Sequence, residues 1–230
     1  MSKSCYAMVI TPHPDDAEYG VAGTVVKWVR EGKEVIYVVC TNGNKGSNDP
    51  QMTLEELAQI REREQLAAAK VLGVKEVIFL RYEDQGLEDT PGFRKQIVRQ
   101  LRIYKPEIVV TSDPYRSYIW HRDHRITGQV VMDAVFPYAR DRLAYPDLLA
   151  QGIEPHKVKE VFYWGADKPN YFSDITDTWE TKMAALRCHH SQVGDFPDEW
   201  KEFIKQRHQA FAEGQSFPLA EAFYRAEQWL

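Results

Sequence analysis

One alternation governs what this chain can fold into. Short apolar, β-branched runs at residues 6–11, 35–40, 76–80, 108–112 and 158–164 each end in polar punctuation, and helical patterns lie between them. In 18–31, Val21, Thr24, Val25, Trp28 and Val29 share one stripe, and Gly32 stands where such a helix stops. The segments 54–72 (closed by Gly73), 92–104, 125–136, 178–189 and 198–212 read the same way. Continuous apolar strands are buried on both faces, and parallel neighbours need helical crossovers. The pattern predicts an α/β fold: a Rossmann-like single domain over residues 1–230, with a mostly parallel sheet flanked by helices. No internal repeat, low-complexity tract or linker interrupts it.

Composition narrows the function. The 29 basic and 34 acidic residues give a net charge of −5, which argues against a nucleic-acid binder. Cys5, Cys40 and Cys188 are too few and too widely spaced for a disulfide framework or a CxxC zinc site, so a reducing cytoplasm is expected. No apolar run approaches the roughly 18 residues of a membrane span, and Pro12 and His13 interrupt any signal-peptide core.

In open parallel sheets, ligands bind beyond the carboxyl ends of the strands. Two segments there carry metal-type chemistry. His13-Pro14-Asp15-Asp16 offers an imidazole and two adjacent carboxylates, which repel unless a cation holds one of them or a proton neutralises it. His121-Arg122-Asp123-His124 places two histidines at i and i+3, so one can bind metal while the other stays free for proton chemistry. Read alone, the first is also a Pro-Asp turn, and the second is a weak signal. Together they supply a His/Asp/His set with a fourth position open, as catalytic zinc sites have.

These segments resemble the PIG-L/LmbE-like family of zinc-dependent de-N-acetylases. PHPDDAEYGVAGT is similar to the family's opening metal motif, HRDHR to its second one, and KMAALRCHHSQ (182–192) to a late helix. Arg61, Glu64, Asp84 and Ala220-Glu221-Ala222-Phe223 fall in the matching order. The resemblance implies that His13, Asp16 and His124 bind Zn2+, with iron, cobalt or manganese as other candidates. It further implies that Asp15 is the general base, that His121 assists the oxyanion or leaving group, and that Asp123 tunes His121. Arg122 replaces the usual proline and brings a cation to the pocket mouth.

For substrate contacts, Arg61 either reaches a sugar hydroxyl or pairs with Glu64, and Asp84 either binds sugar or closes a turn. Tyr118 and Trp120 either stack on a sugar ring or pack elsewhere, Arg122 faces a polar or anionic aglycone, and His189 holds a family position that an ordinary helix-end histidine could also occupy. The expected activity is removal of the acetyl group from an N-acetylglucosamine-type small molecule. The rival readings are a zinc amidase acting on a different amide and a sugar- or metal-binding module without turnover. Homo-oligomers are a family-level expectation.

Overall fold

The computed structural model describes residues 4–119 and 121–227. Seven strands form one sheet: β1 (Ala7–Thr11), β2 (Val35–Thr41), β3 (Glu76–Tyr82), β4 (Ile108–Ser112), β5 (Glu160–Trp164), β6 (Tyr171–Asp174) and β7 (Ala220–Glu227). Their order is β3-β2-β1-β4-β5-β7-β6. The first five run parallel, and β7 runs antiparallel to both β5 and β6. The helices are α1 (Asp16–Gly20), α2 (Ala22–Arg30), α3 (Leu54–Leu72), α4 (Pro91–Tyr104), α5 (Arg122–Asp133), α6 (Pro146–Ala150), α7 (Trp179–Leu186), α8 (His190–Val193) and α9 (Asp198–Phe211).

Side-chain alternation along β1 divides the core. Met8 and Ile10 pack with Phe93, Ile97 and Leu101 of α4 and Val130 and Val131 of α5. Ala7 and Val9 face the opposite side, with Val21, Val25 and Trp28, and with Ala68 and Leu72 of α3. Helices therefore cover both faces, as parallel strands require. A third cluster, including Trp179, Met183, Leu186 and Ile204, seats α9 against α7.

Local chemistry sets the boundaries. Helix α3 begins on a capping box between Thr53 and Glu56 and ends at Gly73, whose φ of 75° is the left-handed closure glycine favours. The helix expected over 18–31 is instead two helices, broken at Val21. No local side chain caps α2; Glu221 of β7 accepts from the backbone N–H groups of Gly23 and Thr24 at 2.9 and 2.8 Å. Strands β6 and β7 extend the expected parallel sheet with an antiparallel edge.

The strand order matters for function. From β1 the chain winds outward through β2 and β3, then crosses to β4 on the other side of β1. The connections leaving β1 and β4 diverge there, and such a switch point opens a crevice. The HPDD segment follows β1, and the HRDH segment follows β4.

Candidate active site

The crevice brings the two motifs together. Asp16 lies between two imidazoles: its Oδ2 is 3.1 Å from His13 Nδ1, and its Oδ1 is 3.2 Å from His124 Nε2. Ligand atoms of a tetrahedral ion with bonds of about 2.0–2.1 Å stand roughly 3.3 Å apart, so these contacts fit such an ion. One nitrogen each from His13, His121 and His124 also lies within 4.8 Å of the others. Burial opposes the charge on Asp16, but His124 and His13 hold its carboxyl well below the usual range.

The far nitrogen of His13 is held by acids. Its Nε2 is 3.3 Å from Asp123 Oδ2 and 3.1 Å from Asp84 Oδ1. Burial works against a charged imidazole here, yet the three carboxylates raise His13 well above its ordinary value. Among the described residues, a buried oxygen of Asp84 completes no hydrogen bond despite that short ionic contact. Orphaned acceptor oxygen beside convergent nitrogen donors is the chemistry of a divalent-cation site.

Asp15 stands next to this cluster in an unusual conformation, with φ 104° and ψ −29°. Left-handed backbone is sparsely populated by residues other than glycine and is held by its surroundings. Arg61 supplies part of that hold. Its Nη2 donates to the Pro14 carbonyl and pairs with Asp15 Oδ2 at 3.2 Å, while Nη1 donates to the Gly43 carbonyl at 3.0 Å. A Cβ on Gly43 would lie 2.5 Å from that Nη1, so only glycine lets the guanidinium through. Burial, aided by the charge of Asp16, lifts the Asp15 carboxyl to about 7 against the pull of Arg61. A carboxyl near that value can both take and return a proton at neutral pH.

His121 caps α5. The backbone N–H of Asp123 donates to its Nδ1 at 3.3 Å, which leaves the proton of the neutral ring on Nε2, facing the crevice. Burial and the neighbouring His13 charge lower its pKa. It therefore presents a neutral N–H donor 4.0 Å from Asp84 Oδ1.

Several expected roles change. Asp123 is fully buried; its carboxylate accepts from the Gln85 and Leu87 N–H groups and faces His13, not His121. Arg61 and Asp84 are each only 4% exposed: Arg61 is held by the Pro14 and Gly43 carbonyls and by Asp15, and Asp84 by His13 and the Lys45 N–H. His189 is 0% exposed and bonded to Glu18, behind the base rather than in the crevice. Tyr118 is 91% exposed, so it does not pack in the core. Arg122 donates to the Leu87 carbonyl and approaches Glu88 at 3.8 Å. Trp120 lies outside the described residues. Among the described residues, Trp164 at the end of β5 lies beside the cluster, edge-on to His124 with ring centres 5.6 Å apart. A side chain on Gly20 would strike the Trp164 ring at 2.8 Å, so glycine there lets the indole lie against α1.

The chain is similar to known deacetylases in sequence and fold. The family model described as PIG-L, GlcNAc-PI de-N-acetylase, matches residues 8–135. A diacetylchitobiose deacetylase of Thermococcus kodakarensis is 37% identical over 202 residues, covering 86% of this chain and 74% of its own length. A probable N-acetyl-alpha-D-glucosaminyl L-malate deacetylase 2 of Bacillus anthracis is 29% identical, covering 87% of each chain. The structure of N,N'-diacetylchitobiose deacetylase from Pyrococcus horikoshii superposes with a TM-score of 0.92 at 33% identity, over 97% of this chain and 84% of the other.

Proposed function

The chain belongs to the PIG-L family, and from that premise we propose that it is a zinc-dependent hydrolase that removes the acetyl group from an N-acetylglucosamine-type small molecule. The family supports an enzyme that hydrolyses amides by N-deacetylation. The observation that carries the finer reading is Asp16 set between the imidazoles of His13 and His124, with the carboxylate of Asp15 beside it.

His13, Asp16 and His124 would hold the ion. When bound there, zinc supplies Lewis acidity, polarising the acyl oxygen and making a water easier to deprotonate. Asp15 accepts the proton of the attacking water as the new C–O bond forms. Arg61 keeps the carboxylate of Asp15 from swinging away. The negative charge growing on the acyl oxygen receives the Nε2–H of His121, a donor type worth about 10²–10³ in rate. As the C–N bond breaks, Asp15 returns its proton to the leaving amine, giving acetate and a free amino sugar. Asp123 and Asp84 fix the ring of His13 through its other nitrogen, the usual support for a metal-binding imidazole.

Acetate release should be measured on N-acetylglucosamine, its short β-linked oligomers and N-acetylglucosamine conjugates with zinc-loaded protein. Cleavage of at least one is expected, with His121→Ala keeping metal but turning over about 10²–10³ more slowly. If all resist while another amide is cleaved, the sugar assignment fails and the hydrolase assignment stands. If no amide is cleaved and zinc does not bind, a binding module is the better reading.

A further inference from the structure

We propose that Glu18, Gln65 and His189 form a buried chain of hydrogen bonds that positions Asp15, so that His189 acts on the reaction through the backbone of the base and never touches substrate. The inference rests on the deacetylase reading and adds three positioning residues to it.

The chain of contacts is continuous. The Asp15 N–H donates to Gln65 Oε1 at 3.1 Å. Gln65 Nε2 donates to Glu18 Oε1 at 3.0 Å, and Glu18 Oε2 lies 3.1 Å from His189 Nε2. A carboxylate only accepts, so His189 carries its proton on Nε2. All three side chains are fully buried. They come from three elements: α1, the middle of α3, and the turn between α7 and α8.

Each link fixes the next. A flipped Gln65 amide would turn its NH2 toward the Asp15 N–H and its oxygen toward the Glu18 carboxylate, two repulsive contacts. Glu18 thus selects the amide orientation that accepts from Asp15. His189 in turn fixes Glu18, and among the described residues its ring makes that hydrogen bond alone, since Nδ1 is buried without a partner. A buried polar nitrogen left unpaired calls for an explanation, and an apolar residue would fill the same space with none. Holding Glu18 is the explanation the contacts supply. At the other end, Asp15 holds a positive φ of 104°, and the Gln65 acceptor on its N–H ties that backbone down and with it the aim of the carboxylate.

Exchanging donor and acceptor tests this. Gln65→Glu sets two carboxylates against each other. Adding Glu18→Gln restores the pattern, with the Asp15 N–H donating to residue 65, the new amide donating to it from residue 18, and His189 donating to residue 18. We expect Gln65→Glu to lower kcat about 10–100-fold, the scale of a misplaced catalytic group, with KM and metal content close to the parent. The double variant should recover to within a few-fold. His189→Leu should lose about 10-fold in kcat, and His189→Gln, which keeps a donor, much less. A Gln65→Glu variant with parental kcat, or a double variant no better than the single, overturns the proposal. Should Gln65→Glu fail to fold, Gln65→Met removes the acceptor without adding charge, and its parental kcat would overturn the proposal equally. Hydrogen exchange at the Asp15 amide gives a readout without turnover: slow in the parent, fast in Gln65→Glu, slow again in the double variant. Equal rates in all three defeat the proposal. A parent that cleaves no N-acetyl sugar defeats the deacetylase reading alone.

Discussion

Two buried clusters in this molecule set carboxylates against nitrogen side chains to opposite ends. Around Glu221, every charge is answered. Its carboxylate accepts from Gly23 N, Thr24 N, the Thr24 hydroxyl at 2.6 Å and Lys182 Nζ at 2.7 Å, and Lys182 also donates to the Tyr19 carbonyl at 2.8 Å. Around His13, four carboxylates (Asp15, Asp16, Asp84 and Asp123) gather near one imidazole and the Arg61 guanidinium, and a buried Asp84 oxygen completes no hydrogen bond among the described residues. A neutral, fully bonded knot holds a fold together. A knot with surplus acceptor oxygen and convergent nitrogen is shaped for something that arrives later. The distinction lies in satisfaction, not in burial.

The strongest way to break this comparison is His13→Ala, which should abolish both metal binding and turnover; a fully metallated, active variant would remove His13 from the ligand set. Asp15→Asn comes next. It keeps the shape but cannot accept the proton, so metal should remain while turnover falls about 10²–10⁴-fold, measured on matched metal content. In the other cluster, Lys182→Met strands the Glu221 carboxylate and should cost about 3–5 kcal/mol in denaturant unfolding. Zinc affinity should hardly move, and a parental unfolding midpoint would show that the knot is not structural.

The smallest effect is a pH dependence beside the knot. His208 donates from Nδ1 to the Ala220 carbonyl at 2.7 Å, and burial, with Lys182 nearby, pushes its pKa down to about 3 from an ordinary 6.5. The unfolded chain therefore binds this proton first as pH falls. The stability His208 contributes is intact above pH 6.5 and is lost from there toward about 3. His208→Phe should flatten the stability curve between pH 6.5 and 5 by up to about 1.4 kcal/mol per pH unit. An unchanged slope would mean the imidazole is already charged in the folded state.

Much of the architecture is written locally. Ile108–Ser112 and Leu54–Leu72 have the bounds their apolar patterns predict, since strand burial and the Thr53 and Gly73 caps are signals within a few residues. The edge strand β7 is not written so. Its sequence, AEAFYRAE, carries a buried glutamate and poor strand formers, and pairing with β5 and β6 makes it a strand. The site shows the same split. HPDD and HRDH announce themselves because metal chemistry restricts residue type. Arg61, Asp84 and His189 are polar residues that sequence cannot tell from substrate contacts, because what separates them is which neighbours occupy their hydrogen bonds. Gln65 gives no signal outside the folded molecule, and Glu18 appears there only as one letter of the segment that follows HPDD.

The capping of α2 by Glu221 also has a meaning in time. Gly23 and its acceptor are 198 residues apart, whereas every candidate metal ligand lies at or before His124. During synthesis the ribosome delivers the whole ligand set well before the carboxylate that finishes the helix beside it. A nascent chain therefore carries the parts of the crevice while the amides of Gly23 and Thr24 still wait for their acceptor, and α2 locks only when β7 emerges and docks.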